Sequence, residues 1–190
     1  NGIMLAFRGA AKAEVEAADV AGCLRAADSA ARGAGRILGM KDARFGPDFG
    51  WNRDPKTRVI APLAFGKSID YRDDTLVGDI KYLWEPNRHL HLPTLAQAAI
   101  LADDQRYALH VQRHVSTWIE QCPYPNGPNW ASALEVGLRL INWSWTWRIL
   151  GGGEALIRKW HWSPDSVSRW LDSIYAHQHF CSVNYSAYSS

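Results

Sequence analysis

The sequence is short of cysteine, of net charge and of long apolar runs, and each shortage removes a class of function. Its three cysteines, Cys23, Cys122 and Cys181, are odd in number and far apart. That fits neither a disulfide framework nor a zinc site with paired ligands, so they read as buried or idle thiols. Lys and Arg total 21 against 19 Asp and Glu, a net charge of +2 with both signs interspersed. No clustered basic surface is available for nucleic acid or for an acidic membrane. No apolar stretch approaches the roughly 18 residues of a membrane-spanning helix, which argues against membrane insertion. The opening Asn1-Gly2-Ile3-Met4-Leu5-Ala6-Phe7-Arg8 lacks the basic and long apolar parts of a secretory signal, and the compartment stays open. A Gly-rich phosphate loop, a Gly-x-Ser-x-Gly elbow and a Cys-His nucleophile pattern are also missing. Gly151 to Gly153 lacks a following Lys and Ser or Thr. No cofactor is expected.

What is abundant is aromatic: ten Trp and seven Tyr in 190 residues that are 47% hydrophobic. That length suffices for one globular domain with a real core. Residues 4–38 have helix-forming composition, rich in Ala, Glu, Lys and Arg and without Pro, and Gly33, Gly35 and Gly39 end them. Residues 1–40 therefore read as an Ala-rich helical segment, weakly amphipathic and loosely packed. Periodicity then disappears over residues 41–72, where Pro and Gly punctuate Phe45, Phe49, Trp51, Phe65 and Tyr71. A loop of that length is uncommon in a compact domain and is often functional. Its Trp51-Asn52-Arg53-Asp54-Pro55 fits either a ligand-facing surface or a crossing loop pinned by its rings.

Helical signals resume at Asp79. Tyr82, Glu85, His89 and Leu92 share one face, Trp84 and Arg88 a neighbouring one, and Pro93-Thr94 marks a joint. Asp103-Asp104 offers caps for a helix carrying Tyr107, Val111, Val115 and Trp118. Three prolines force a loop over Cys122 to Pro128. Ser132 with Glu135 reads as a capping box, opening a helix whose core stripe is Leu134, Leu138, Ile141 and Trp145. Gly151 closes it, and Ser163-Pro164 opens the last helix. No convincing alternation appears beyond residue 78. The predicted fold is all-α, with helices of roughly 10 to 20 residues joined by short turns as helical hairpins.

Two constellations could carry chemistry. Tyr82, Trp84, Glu85, Arg88 and His89 suit a polar ligand with flat faces and anionic groups, or else a helix with its rings in the core and Glu85 paired to Arg88 or His89. Asn129-Trp130 precedes Glu135, Arg139, Asn142 and Trp143. The charged and amide members could line a groove, or form a plain exposed Glu-Arg pair. Trp143, Trp145 and Trp147 alternate, so they cannot all enter one core. Rings and guanidinium groups exposed in a groove are what carbohydrate recognition uses. A metal site has less support. His110 and His114 sit at i, i+4 without a third ligand and read as surface residues, while His89/His91 and His177/His179 are two apart and would point to different sides of a helix.

Several of these segments, in this order, resemble the N-terminal helical part of the heparinase II/III family of polysaccharide lyases. The likeness runs from Gly78-Asp79-Ile80-Lys81-Tyr82-Leu83-Trp84-Glu85 into Asn87-Arg88-His89, then Asp104-Gln105-Arg106-Tyr107-Ala108, Trp118-Ile119 and Gly127-Pro128-Asn129-Trp130. It continues through Ser132, Glu135, Arg139, Asn142 and Trp143 to Tyr185-Ser186-Ala187-Tyr188-Ser189-Ser190, with Phe49 to Pro55 similar to the family's Arg-Asp-Pro loop. The resemblance implies that residues 41–190 are the first part of an (α/α) toroid whose remainder, with β-sheet domains, lies outside this chain. It implies a periplasmic or secreted setting and an acidic, uronic-acid-containing polysaccharide as partner. The implied reaction is β-elimination: the uronate carboxylate is neutralised, a base takes the C5 proton, and the 4-linked oxygen leaves as the C4–C5 double bond forms. The family's Asn-His motif would follow Ser190, so this segment is expected to wall a groove without the main catalytic groups. The implied contacts are Arg139 for a carboxylate or sulfate, then Arg88, Glu85, Tyr82 and Asn129, with Glu135 and Asn142 beside them and Trp84, Trp130 and Trp143 as wall rings. The alternative is a non-catalytic helical carbohydrate-binding or scaffold module. An open toroid would also expose apolar faces and self-associate.

Overall fold

An Ala-rich run followed by closely spaced glycines should begin as a helix and then break. The computed structural model describes residues 17–184, and there the run forms α1 (Ala17–Ala31). The rest of the Ala-rich start and the tail at Tyr185 to Ser190 lie outside the described residues. The helix stops before residue 38. Gly33, at φ +65°, turns the chain so tightly that a Cβ there would meet the Phe45 carbonyl oxygen at 2.4 Å, so only glycine fits. Antiparallel strands β1 (Ala34–Ile37) and β2 (Met40–Arg44) follow. They are joined through Leu38 and Gly39, at φ 45° and 95°, the positive-φ pair that suits strand twist. The all-α expectation is corrected accordingly: the protein is mostly helical with a small two-stranded sheet.

From Phe45 to Asp73 the backbone has no α-helix, only a 3-10 turn at Gly66–Ser68 and isolated antiparallel bridges, Arg53 to Ile60 and Phe65 to Asn126. It is held by polar anchors. The Trp51 amide donates to Gln121 Oε1 at 2.9 Å, its indole to Thr117 Oγ1 at 3.1 Å, and Asn52 Nδ2 to the Gln121 carbonyl at 2.6 Å. Buried Asp54 accepts from the amides of Lys56, Thr57 and Asp79. Trp51 and Asp54 are thus pins, not ligand-facing groups.

The helical body comprises α2 (Asp74–Val77), α3 (Ile80–Asn87), α4 (His91–Ala102), α5 (Gln105–Gln121), α6 (Ala133–Leu150), α7 (Gly152–Arg158) and α8 (Pro164–Val183). Helix α4 packs against α1, α5 and α6, and α8 against α5 and α6. A two-residue turn makes α4 and α5 a helical hairpin. Asp104 and Ser163 cap as expected, accepting from the amides of Arg106 and Ser166, and Gly151 ends α6 in the left-handed region. Three expectations fail. The joint lies at His89, φ 60°, while Pro93 sits inside the first turn of α4, where its missing N–H costs nothing. Ser132 makes no side-chain cap bond, because Glu135 turns to Arg88 instead.

The third failure is the orientation of α6. Its predicted core stripe faces out: Leu134 is 67% exposed, Ile141 55% and Trp145 51%. The inward face is Glu135, Val136, Arg139, Trp143, Thr146 and Leu150. A polar set can win the interior only if its hydrogen bonds are met there, as they are for Arg139, Glu135 and Thr146, whose hydroxyl donates to the Asn142 carbonyl at 2.7 Å.

Candidate functional site

Arg139 projects from the middle of α6 into a cage of rings and carbonyls. Its Nε donates to His177 Nε2 at 2.9 Å, Nη1 to the Asn87 carbonyl at 3.0 Å and Nη2 to the Asn129 carbonyl at 2.9 Å. The guanidinium lies 4.2 Å from the Trp118 ring centroid and 5.6 Å from that of Trp130, within cation–π range. It is 1% exposed and forms no ion pair among the described residues. Burial lowers its pKa to about 10, so it stays charged at neutral pH. Because a guanidinium only donates, His177 Nε2 must accept. The His177 proton therefore sits on Nδ1, 2.6 Å from the Ser173 carbonyl. Desolvation, then the Arg139 charge, hold His177 well below the usual imidazole range.

The other inward motif residues lock this cage. Asn87 Nδ2 donates to the carbonyls of Trp51 and Leu83, and its Oδ1 accepts from Trp118 Nε1 at 2.8 Å. Asn129 Nδ2 reaches Asn52 Oδ1 and Cys122 Sγ, and Trp130 Nε1 donates to the Cys122 carbonyl. Burial pushes the Cys122 thiol up to about 12, which leaves it inert. Trp143 Nε1 donates to His89 Nδ1 at 2.7 Å.

A second polar group lies at the rim. Arg88 grips Glu135 in a two-point fork, Nε to Oε2 at 2.7 Å and Nη2 to Oε1 at 2.9 Å, and its Nη1 also pairs with Glu85. Side-chain exposure is 28% for Arg88, 21% for Glu85 and 5% for Glu135. Hydrogen bonding to Glu135 raises the Arg88 pKa further. Asn142 Nδ2 donates to the Arg88 carbonyl at 2.9 Å, and Trp84 Nε1 to the Pro128 carbonyl at 2.9 Å. Tyr82, half-buried, carries Lys56 Nζ 4.7 Å above its ring.

Of the ten anticipated contact residues, Arg139, Asn129, Trp130 and Trp143 are sealed in the core and Glu135 nearly so. Asn142 and Trp84 spend their polar atoms on backbone. Arg88, Glu85 and Tyr82 remain at the surface. What spacing missed is a group of imidazoles. His91 Nε2 and His114 Nδ1 are 3.0 Å apart, and the His89 ring centroid is 5.5 Å from that of His91. The surface reading of His114 is corrected: it is fully buried, and it shares the inward face of α5 with Tyr107, Val111 and Trp118. The rule that residues two apart diverge fails for His89 and His91 because the helix breaks between them. Among the described residues, no group of three or more His, Cys, Asp or Glu is arranged to hold a metal ion, and no helix is long and apolar enough to cross a membrane. No family model, curated protein or solved structure matches the chain.

Proposed function

We propose that this chain is the N-terminal part of an (α/α) toroid in a heparinase II/III-like polysaccharide lyase, walling a groove for an acidic polysaccharide while the eliminating groups lie outside it. The ordered motifs from Gly78 to Trp143 are the basis of the reading. The structural observation that supports it best is the outward apolar stripe of Leu134, Ile141 and Trp145 on α6, together with exposed Leu171 (47%) and Tyr175 (70%) on α8, which packs against α6. Such a face calls for cover, and the next helices of an array supply it. In this reading Arg88, Glu85 and Tyr82 contact the chain of sugars. Arg139, Asn129, Trp130, Trp143, Glu135, Asn142 and Trp84 position them from below. The inward turn of Arg139 favours the second reading, a helical carbohydrate-binding or scaffold module, because it removes the best carboxylate fork from the groove.

The test is electrophoresis of the 190-residue chain through gels containing heparan sulfate or alginate, with neutral dextran as control, alongside an ultraviolet assay for unsaturated uronate. Retardation by an acidic polymer without product is expected. Absence of retardation by every acidic polymer overturns the groove, and turnover by this chain alone overturns the placement of the eliminating groups. An Asn-His continuation after Ser190 in the coding sequence separates the lyase from the module.

A further inference from the structure

A cavity of about 340 Å³ opens between α1, β1 and the α3–α4 junction, floored by Ala30, Ile37 and Phe45, a volume within the range of small-molecule sites. It adjoins the groove residues: Glu85 lines it and pairs with Arg88, and the Tyr82 hydroxyl donates to the Leu38 carbonyl next to Ile37. Its charged lining residues are Arg36 and Glu85. Arg36 is exposed and in no ion pair among the described residues, whereas Glu85 is held by Arg88.

His91 also lines the cavity and stands in front of His114. His114 Nε2 is buried without a partner. A stranded N–H is costlier than a stranded acceptor, so the His114 proton belongs on Nδ1, donating to His91 Nε2. His91 then carries its own proton on Nδ1, and its ring offers a donor to the cavity it lines. Burial pushes the His91 pKa down to about 3, so the ring is neutral there. The inventory is a guanidinium fork in no ion pair among the described residues, a neutral N–H donor, an apolar floor and one carboxylate that repels a second anion.

We propose that this cavity binds a small organic monocarboxylate, its carboxylate on Arg36 and His91 and its apolar body on Ala30, Ile37 and Phe45. A guanidinium fork matches a carboxylate with two parallel hydrogen bonds, and Glu85 disfavours dianions by like-charge repulsion. The test is an NMR titration of the 190-residue chain with benzoate, benzyl alcohol and phthalate as probes. Benzoate is expected to move the His91, Ile37 and Phe45 signals, with the other two at least tenfold weaker. Arg36→Gln, at an exposed position, should weaken benzoate at least tenfold while leaving the melting temperature unchanged. Overturning results are unmoved signals at any soluble benzoate concentration, phthalate binding as well as benzoate, or unchanged benzoate affinity in Arg36→Gln. The site shares Glu85 with the groove, but Arg36 and His91 contact no sugar in that reading, so loss of benzoate binding and loss of retardation by polysaccharide are separate failures.

Discussion

The protein holds two arginines in opposite ways. Arg88 sits at the rim with two carboxylates, and Arg139 sits in the core with two carbonyls, an imidazole and two indole faces. At the rim, water screens whatever the ion pairs leave over. In the core a guanidinium must find fixed acceptors, because an unpaired charge there costs several kcal/mol. The rim pairs are thus adjustable, while the Arg139 cage dictates how α6 is turned and which of its faces goes inside.

The sharpest way to break the contrast is acid. His89, His114 and His177 are held well below the usual imidazole range, and His91 lies at about 3, in each case chiefly through burial. These rings are neutral in the folded protein and take up protons near pH 6.5 once unfolded. Stability is therefore complete above about pH 6.5 and falls as pH drops toward the folded values, by up to about 1.4 kcal/mol per pH unit for each ring. Four such rings can remove the stability of an ordinary domain within about two pH units. Urea unfolding from pH 7.5 to 4.5 should show this steep loss. A flat profile down to pH 5 would mean that the interior is wet and the comparison wrong.

The next largest effect is expected from Arg139→Met, which keeps the volume and removes the charge. It strands the Asn87 and Asn129 carbonyls and His177 Nε2, so a loss of about 3–5 kcal/mol in urea unfolding is expected. Lysine should not rescue it, since an ammonium cannot reach three acceptors in one plane.

Legibility in the sequence followed the same division. Caps at Asp104 and Ser163 and the stop at Gly151 depend on neighbouring residues alone, and local chemistry placed them correctly. The inward face of α5 was readable too, had His114 been allowed to join Tyr107, Val111 and Trp118 at helical spacing. The face of α6 was not. Hydrophobicity assigns Leu134 and Ile141 to the interior, and only partners from α3, α8 and the Asn129 turn make Arg139 cheaper to bury. The hairpin of β1 and β2 escaped because four and five residues containing Arg, Lys and Asp give no usable alternation. The pair of Glu85 and Arg88 was legible from its helical spacing, whereas the fork from Arg88 to Glu135 and the bond from Asn142 to the Arg88 carbonyl join two segments distant in sequence and were not.

Arg88→Ala should give the smallest loss and the clearest apportioning of the rim. Glu135 is 5% exposed in its side chain, so removing its fork leaves a nearly buried carboxylate uncompensated, at about 1–3 kcal/mol. Glu85 is better solvated and should add only tenths. The second substitution Glu135→Gln should therefore recover most of that loss in the Arg88→Ala background, because a neutral amide needs no counter-charge. Glu85→Gln in the same background should recover almost nothing. If both substitutions recover equally in urea unfolding, the two carboxylates share the guanidinium evenly and the fork to Glu135 is not the dominant pair. If neither does, the cost of Arg88→Ala is lost packing of its stem and not lost charge.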